Sequence, residues 1–450
     1  MRTLTSLKED TLEKEKLTSK FGIDFIIKNN QVYLVKKNDS LKYYFLLEND
    51  SEYFFKSLLG CKKTKYSSKS WSFIPVKGDW EYIKKKNTII VLPITKMCNS
   101  DCKICFMKDR LPYDEMSIDD IKDVLAKIGK NKKILLFGGE PTLRDDIFKI
   151  IRLIKKSRNI PTICTNGLKL ADRSFVKKLK ESGIKRILLS FDGFREEIYE
   201  NLRGNSGHLY LKLRALKNLK DFKIKVYLSS TIAYGVNENE ISNLLKFAIR
   251  NNDFIIGINI YPATPYGKFD ISIKKYLTPS DIVSMLEKAS SGLITKEYVL
   301  EFKRLRMNLN RVLSKFKIFF PCYSYYHSHT LLKVENNQLK HFISLNDLKG
   351  VNEFIQNRKY LNLLVYFIKN PRLVKNSLSF VLRKFNSESL GKNVFIVQLG
   401  NVITPLNYLP VEYDCIEIEK LSNNSRDENY SHLNGELRLE PFRTLTTGPG

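Results

Sequence analysis

The sequence lacks the features of an exported or membrane-spanning protein. Its longest apolar runs, such as LNLLVYFI at 361–368, are too short to cross a bilayer. The first residues, MRTLTSLKEDTLEKEK, are charged throughout and do not resemble a signal peptide. We therefore expect a cytoplasmic protein. In that compartment thiols stay reduced, and clustered cysteines bind metal more often than they form disulfides.

Cysteine and histidine are scarce, with seven and five residues in a chain of 450. Three of the cysteines nevertheless lie within eight residues, as Cys98, Cys102 and Cys105 of KMCNSDCKICF (96–106). A structural zinc site needs a fourth Cys or His nearby, but the nearest histidine, His208, follows about a hundred residues later. A [4Fe–4S] cluster held by three thiolates keeps one iron open to a small molecule, so the spacing favours such a cluster.

The cysteines outside this motif do not supply a second set of four ligands. They are Cys61, Cys164, Cys322 and Cys415. Cys164 lies in a predicted strand, where we expect a buried structural thiol. The segment CYSYYHSH brings Cys322 close to His327 and His329, which allows a mixed Cys/His site, although we favour an aromatic, partly buried turn.

The net charge of +28 is large and uneven, because residues 411–450 carry −4 and residues 1–410 carry +32. One interpretation is a lysine-rich, solvated surface without a specific partner. Another is contact with an anionic membrane at the inner face. Nucleic acid ranks last, because no nucleic-acid-binding motif accompanies the charge.

Strand and helix patterns alternate from residue 88 onward. Six β-branched or apolar runs are predicted strands, at 88–95, 132–139, 160–167, 185–193, 223–231 and 254–261. Helical patterns lie between them, and Ser117 followed by Asp120 at N3 predicts the start of the first helix. This alternation predicts an α/β fold with a parallel sheet, either a partial barrel or a doubly wound sheet.

Small or polar groups follow four successive predicted strands. The cysteine loop follows the first, GGEPT (138–142) the second, TNG (165–167) the third and SFDG (190–193) the fourth. The carboxyl ends of parallel strands meet at one edge, where such folds place their reactive groups. We therefore expect an active site at this edge.

Together, CNSDCKIC followed by Phe106, then GGEPT, TNG and SFDG, resemble the radical S-adenosylmethionine (SAM) superfamily over roughly residues 88–265. The resemblance implies a partial (β/α)6 TIM-like barrel and an oxidoreductase or transferase with a [4Fe–4S] cluster and SAM. In that superfamily the open iron chelates the amino and carboxylate groups of SAM. One electron then splits SAM into methionine and a 5′-deoxyadenosyl radical, which abstracts hydrogen from an unactivated carbon. An electron donor such as ferredoxin or flavodoxin is implied.

The resemblance also assigns the cofactor site residue by residue. The cluster ligands would be Cys98, Cys102 and Cys105. Gly138, Gly139 and Glu140 match the segment that receives the SAM amino group, since glycines allow close backbone approach and a carboxylate offsets an ammonium charge.

Four further positions match polar sites around SAM. Ser190 and Asp192 correspond to positions that often face the ribose, and Asn166 lies at the matching edge of the third strand. Arg203 would pair with the SAM carboxylate. Polar residues at strand ends also serve as turn formers and caps, which is the alternative for all four.

Three later stretches resemble the archaeal tetraether lipid synthase group and related radical SAM methyltransferase-like proteins. They are 235–269, 276–282 and 320–334. This resemblance implies an unactivated carbon of a lipid-linked substrate. That group carries additional metal-site cysteines, which are largely missing here.

The chain is predicted to have three parts. Residues 1–87 are predicted to form a small β or α+β domain, the degenerate remnant of a metal-binding module. Residues 88–275 form the radical SAM core. Residues 276–450 form an α+β region with a strand pair at 393–405. Within the last part, 357–385 is basic, apolar at helical spacing and broken by Pro371. It forms either helices packed on the barrel or a membrane-surface element. The basic residues of that element would be Lys369, Arg372, Lys375, Arg383 and Lys384.

Two other functions compete with this prediction. A peptide maturase of the SPASM-like type would share the cluster, but such proteins carry many C-terminal cysteines, which this chain lacks. A non-catalytic partner- or membrane-binding protein would not need the cysteine triad and GGEPT, which are both intact.

Overall fold

The structure is a computed structural model that describes residues 23–28, 31–36, 42–44, 89–105, 107–108, 113–263, 268–274, 277, 279–313, 327–370, 394–400, 415–421 and 437–441. The predictions for Phe106, Cys61, Cys322, Arg372, Lys375, Arg383 and Lys384 lie outside these residues. So do the side chains of Cys415, His327 and His329, of which only the backbone is described.

Three short strands near the N-terminus form an antiparallel sheet of their own. They are Ile23–Lys28 (β1), Gln31–Lys36 (β2) and Lys42–Tyr44 (β3), paired in the order β1-β2-β3. These strands lie within the small β or α+β domain predicted for residues 1–87, and that domain assignment stays a prediction.

A second, larger sheet contains the six predicted core strands. The remaining described strands are Ile89–Thr95 (β4), Ile104–Cys105 (β5), Tyr113–Asp114 (β6), Lys133–Gly138 (β7), Ile160–Thr165 (β8), Arg186–Ser190 (β9), Lys225–Ile232 (β10), Ile255–Pro262 (β11), Lys268–Phe269 (β12), His327–Glu335 (β13), Gln338–His341 (β14), Val394–Gly400 (β15), Cys415–Leu421 (β16) and Leu437–Pro441 (β17).

The helices of the core alternate with these strands, and further helices follow β12. The described helices are Ile118–Ile128 (α1), Ile147–Lys156 (α2), Arg173–Ser182 (α3), Glu196–Arg203 (α4), His208–Asp221 (α5), Glu240–Arg250 (α6), Pro279–Ala289 (α7), Lys296–Leu313 (α8), Leu345–Gln356 (α9) and Tyr360–Lys369 (α10).

The six core strands pair in chain order, β4-β7-β8-β9-β10-β11, and every pair is parallel. A doubly wound sheet would reverse its strand order partway, whereas the sequential order is that of a barrel segment. The predicted α/β fold with a six-stranded partial barrel is therefore confirmed.

Sequence patterns explain these elements locally. In α2 the apolar residues Ile147, Ile150, Ile151 and Ile154 recur at helical spacing, and all four are buried against the sheet. The start of α1 is a capping box: the Ser117 hydroxyl accepts from the Asp120 N–H, while the Asp120 carboxylate accepts from the Ser117 N–H. The predicted N-cap is therefore confirmed.

Strands of the predicted C-terminal region join both edges of the core sheet. At one edge β15 pairs parallel with β11 and antiparallel with β13. At the other, β16 pairs parallel with β4, with Cys415 opposite Ile89. Residues 394–400 of the predicted strand pair form one strand, and 401–405 lie outside the described residues. Among the helices that the structure describes, none is long and apolar enough to span a membrane.

Candidate active site

The cysteine loop lies at the carboxyl edge of the core sheet, beside the end of β7. The Gly139 N–H donates to the Thr95 carbonyl at 2.8 Å, and the Glu140 N–H donates to the Met97 carbonyl at 2.7 Å. A Cβ at Gly139 would lie 2.3 Å from the Met97 oxygen, and one at Gly138 would lie 2.3 Å from the Thr95 oxygen. The glycines are therefore needed so that the GGE segment can pack on the backbone before Cys98.

The far end of the loop is anchored as well. Strand β5, which contains Cys105, pairs with β12, so that Cys105 lies opposite Lys268. The Lys103 N–H donates to the Leu202 carbonyl at 3.1 Å, and Lys268 pairs with Asp101 at 3.0 Å. The loop is thus held by β7, β12 and the end of α4.

All three thiols of the loop are free, with Cys98 exposed and Cys102 and Cys105 half-buried. Although Cys98 is exposed, the protein atoms around its thiol displace part of the surrounding water, and this desolvation, together with the nearby Cys102, Glu140 and Cys105, raises the pKa of Cys98 to about 11. Binding iron would therefore release a proton from this thiol, since thiolate is the metal ligand.

The donor set fits an iron–sulfur cluster in its chemistry. Within the described part of the chain, no three Cys, His, Asp or Glu side chains converge as they would around a single metal ion. The ligands of a cubane cluster need not converge on one point, because each thiolate binds its own iron. The assignment of the three cysteines as cluster ligands stays a prediction.

Glu140 connects the ends of two core strands. Its Oε1 accepts from the Thr142 and Thr165 hydroxyls at 2.6 and 2.7 Å, and its Oε2 accepts from the Asn166 N–H at 2.6 Å. Burial raises the pKa of this carboxyl, although its hydrogen-bond donors oppose the shift. Both oxygens thus have partners within the chain, and a contact with the SAM ammonium stays a prediction.

Asp192 and Arg203 form a buried ion pair with two parallel hydrogen bonds. Arg203 Nε and Nη2 donate to the two Asp192 oxygens at 2.8 and 2.9 Å, and the Thr231 N–H donates to Asp192 Oδ1 at 2.9 Å. Burial acts to raise the pKa of Asp192, but Arg203, Lys212 and the Thr231 N–H together hold it below its ordinary value. Arg203 also reaches the Cys102 thiol.

Asn166 joins the cysteine loop to the third core strand. Its Nδ2 donates to Asn99 Oδ1 at 2.8 Å and lies 4.0 Å from Cys98 Sγ. Ser190, at the end of β9, contributes its backbone carbonyl to the same network. The contacts of Asn166, Ser190, Asp192 and Arg203 with SAM stay predictions.

Sequence reasoning missed Lys212, a buried lysine of α5 beneath the strand ends. Its Nζ donates to the Asn166 and Ser190 carbonyls, each at 2.6 Å. Burial lowers the pKa of Lys212 to about 8, although the nearby Asp192 opposes this shift. The sequence pattern could have predicted that Lys212 is buried, because Lys212 lies at helical spacing from the buried apolar residues Leu209, Ala215 and Leu216 of α5.

Cys164 lies in β8, opposite Leu188 of β9. It is half-buried, and burial raises its pKa to about 12, so it remains a thiol at neutral pH. This is compatible with the predicted structural thiol.

One family model matches part of the core. The model of the radical SAM superfamily matches residues 92–248, which include the cysteine loop, GGEPT, TNG and SFDG. This part of the chain is therefore similar to a radical SAM domain. Its cofactor class is therefore a [4Fe–4S] cluster with SAM, as the sequence predicts.

Curated relatives match this chain over about half of its length. A 7,8-dihydro-6-hydroxymethylpterin dimethyltransferase of Methanocaldococcus jannaschii is 34% identical over 225 residues, 47% of this chain and 44% of the relative. A GTP 3′,8-cyclase of Clostridium perfringens is 31% identical over 226 residues, 48% of this chain and 65% of the relative. The chain therefore spans less than two thirds of either relative. The finer resemblance to tetraether lipid synthases stays a prediction.

Among solved structures, SuiB of Streptococcus suis bound to S-adenosylmethionine is similar at a TM-score of 0.40 and 17% identity. The similarity covers 60% of this chain and 69% of that chain.

Proposed function

We propose that this protein is a radical SAM enzyme in which Cys98, Cys102 and Cys105 hold a [4Fe–4S] cluster. The observation that carries the proposal is the placement of three free thiols on one loop against the GGE segment at the carboxyl edge of the sheet. When bound, the cluster and SAM supply a 5′-deoxyadenosyl radical upon one-electron reduction. We place the enzyme in the cytoplasm with a ferredoxin- or flavodoxin-like electron donor.

The protein's own residues hold and orient these groups. The three cysteines bind as thiolates and leave one iron open. Gly138 and Gly139 bring the backbone close to the loop, and Glu140 offers a carboxylate toward the amino group of SAM. We assign Asn166, Ser190, Asp192 and Arg203 to the remaining polar groups of SAM.

For the substrate, we propose an unactivated carbon of a lipid-linked molecule, reached by peripheral contact with an anionic membrane. This rests on the resemblance of 235–269, 276–282 and 320–334 to the lipid synthase group and on the net charge of +28.

A polar ring compound is the second candidate substrate. Two relatives are named for chemistry on a pterin and on GTP. In addition, Ser190, Ser229 and Asn259 lie in register across three strands of the core sheet and share one face of it. Among the residues that the structure describes, the buried Asn259 Oδ1 has no hydrogen-bond partner. A substrate with N–H or O–H groups could donate hydrogen bonds to these side chains, whereas an acyl chain could not.

Anaerobic reconstitution tests the proposed activity. We expect about four irons and four sulfides per chain, and release of 5′-deoxyadenosine from SAM after reduction. Changing Cys98, Cys102 and Cys105 together to Ala should abolish both, whereas Cys164→Ser should keep both. A full cluster in the triple variant would refute the ligand assignment, and about eight irons in the wild type would reveal a second cluster.

A further inference from the structure

Helix α10 (Tyr360–Lys369) has two apolar sides, and one of them anchors it to the protein. Leu363, Tyr366 and Phe367 pack against the core, and the Tyr366 hydroxyl donates to Asp347 Oδ1 at 2.6 Å. The Tyr366 ring also lies 5.6 Å from that of Phe354 in α9. This side fixes the orientation of the helix.

The opposite side of α10 is an apolar stripe that faces outward. Leu361, Leu364, Val365 and Ile368 occupy positions i, i+3, i+4 and i+7, and therefore share one face. Leu361 is 78% exposed and Ile368 is 70% exposed. Outside α10, the exposed large apolar side chains of the described chain are Met97, Tyr234 and the α5 pair Tyr210 and Leu213. A larger contiguous apolar patch marks an interaction site.

Basic residues border this stripe. Arg358 and Lys359 precede the helix, Lys369 ends it, and all three are exposed. The sequence from 354 to 387 contains seven Lys or Arg residues and no Asp or Glu. The described surface of α10 thus combines exposed apolar side chains with the positive charges of Arg358, Lys359 and Lys369.

The positive charge beside the apolar stripe distinguishes between two possible partners, a second copy of the chain and an anionic lipid surface. A second copy docked by two-fold symmetry would bring two such basic segments together, and like charges would oppose the contact. An anionic lipid surface attracts the basic residues and accepts the apolar stripe below its headgroups.

We propose that the stripe of Leu361, Leu364, Val365 and Ile368 docks α10 on anionic lipid headgroups. This inference rests on the proposed membrane contact and names the surface that makes it. The helix lies in the plane of the interface, with Arg358, Lys359 and Lys369 against the headgroups.

Sedimentation with vesicles tests the inference on the full-length protein. Vesicles of phosphatidylglycerol with phosphatidylcholine should bind the wild type, pure phosphatidylcholine should not, and higher salt should weaken binding. Changing Leu361, Leu364 and Ile368 together to Ser should lower the partition coefficient by at least about tenfold. The matched control exchanges the same residues for Ile, Ile and Leu, which keeps the stripe apolar and should keep binding within about twofold. Iron content and thermal midpoint verify that both variants fold.

Three other outcomes would each contradict a different part of the proposal. Salt-sensitive binding that survives the Ser substitutions would leave the membrane contact intact and refute α10 as its surface. No binding of the wild type to anionic vesicles would refute the membrane contact itself. A wild-type dimer in sedimentation velocity that the Ser variant loses would assign the stripe to a second copy and overturn the proposal.

Discussion

Lys212 shows how much of the site's electrostatics comes from buried side chains. It places an ammonium group beneath two strand ends, close to Asp192 and Arg203. Its two carbonyl acceptors, at Asn166 and Ser190, belong to neighbouring strands. The lysine therefore acts as a positioning residue that holds the two strand ends at a defined separation.

Lys212 should give the iron-free protein a measurable pH dependence of stability. With a folded pKa of about 8 against an ordinary value of 10.5, the unfolded chain binds more protons between these limits. Stability therefore rises with pH in this window, because folding no longer buries a charge. The free energy of unfolding of the wild type, measured against Lys212→Met, should rise by about 2 kcal/mol from pH 7 to pH 10. Urea denaturation at both pH values measures it.

An exposed lysine on the same helix provides the control for this experiment. Lys217 lies on the outer side of α5. Lys217→Met, measured in the same way, shows how much of any pH effect comes from removing a lysine from α5. If the Lys212→Met difference does not change with pH, Lys212 does not titrate in this window.

At the scale of elements, the decisive contact joins the cysteine loop to the end of β7. Two backbone hydrogen bonds and two glycines without Cβ atoms allow it. The GGE segment is therefore part of the support for the cysteine loop, in addition to its predicted role toward SAM. This support does not depend on a bound cofactor.

Gly139→Ala should disturb the cysteine loop. Its Cβ would lie 2.3 and 2.6 Å from the Met97 and Lys96 carbonyl oxygens, so the backbone before Cys98 has to move. We expect a loss of about 1–3 kcal/mol of stability from overpacking and a lower iron content after reconstitution. Urea denaturation and iron analysis measure these effects.

Gly350→Ala is the matched control for that substitution. Gly350 lies within α9, and its Cβ would meet the Tyr366 ring at 3.7 Å, an ordinary contact. Alanine should therefore raise stability by about 0.5–1 kcal/mol and leave iron content unchanged. Normal iron loading of Gly139→Ala would show that the loop tolerates the displacement.

At the scale of the whole molecule, cofactor binding should couple to stability. A ligand that binds only the folded state stabilises it by mass action. At a hundred times its dissociation constant, SAM should raise the free energy of unfolding of the reconstituted protein by about 2.7 kcal/mol. An anaerobic thermal shift measures the effect.

The triple Cys98, Cys102 and Cys105 variant tests whether this stabilisation depends on the cluster. If Cys98, Cys102 and Cys105 hold the cluster, the variant would lack the iron site that the radical SAM resemblance assigns to SAM. The thermal shift should therefore largely disappear. An equal shift in the variant would mean that the chain binds SAM without the cluster.

The alternation of strands and helices in the core, and the order of its motifs, could be predicted from the sequence. Hydrophobic period distinguishes strand from helix locally, and the carboxyl ends of parallel strands meet at one edge. The cysteine loop, Glu140, Asn166 and Asp192 could therefore be assigned to one site from chain order alone.

The pairing of these side chains and the strands that complete the sheet could be read only from the three-dimensional structure. Glu140 accepts hydrogen bonds from Thr165 and Asn166, and Arg203 pairs with Asp192; the sequence predicted neither contact, and the roles of both residues toward SAM stay predictions. Strand β16 pairs with β4 although almost the whole core separates them in sequence. Local periodicity shows which face of an element is apolar. It does not specify a partner, because partners are selected by three-dimensional packing and by the need of each buried polar group for a hydrogen bond.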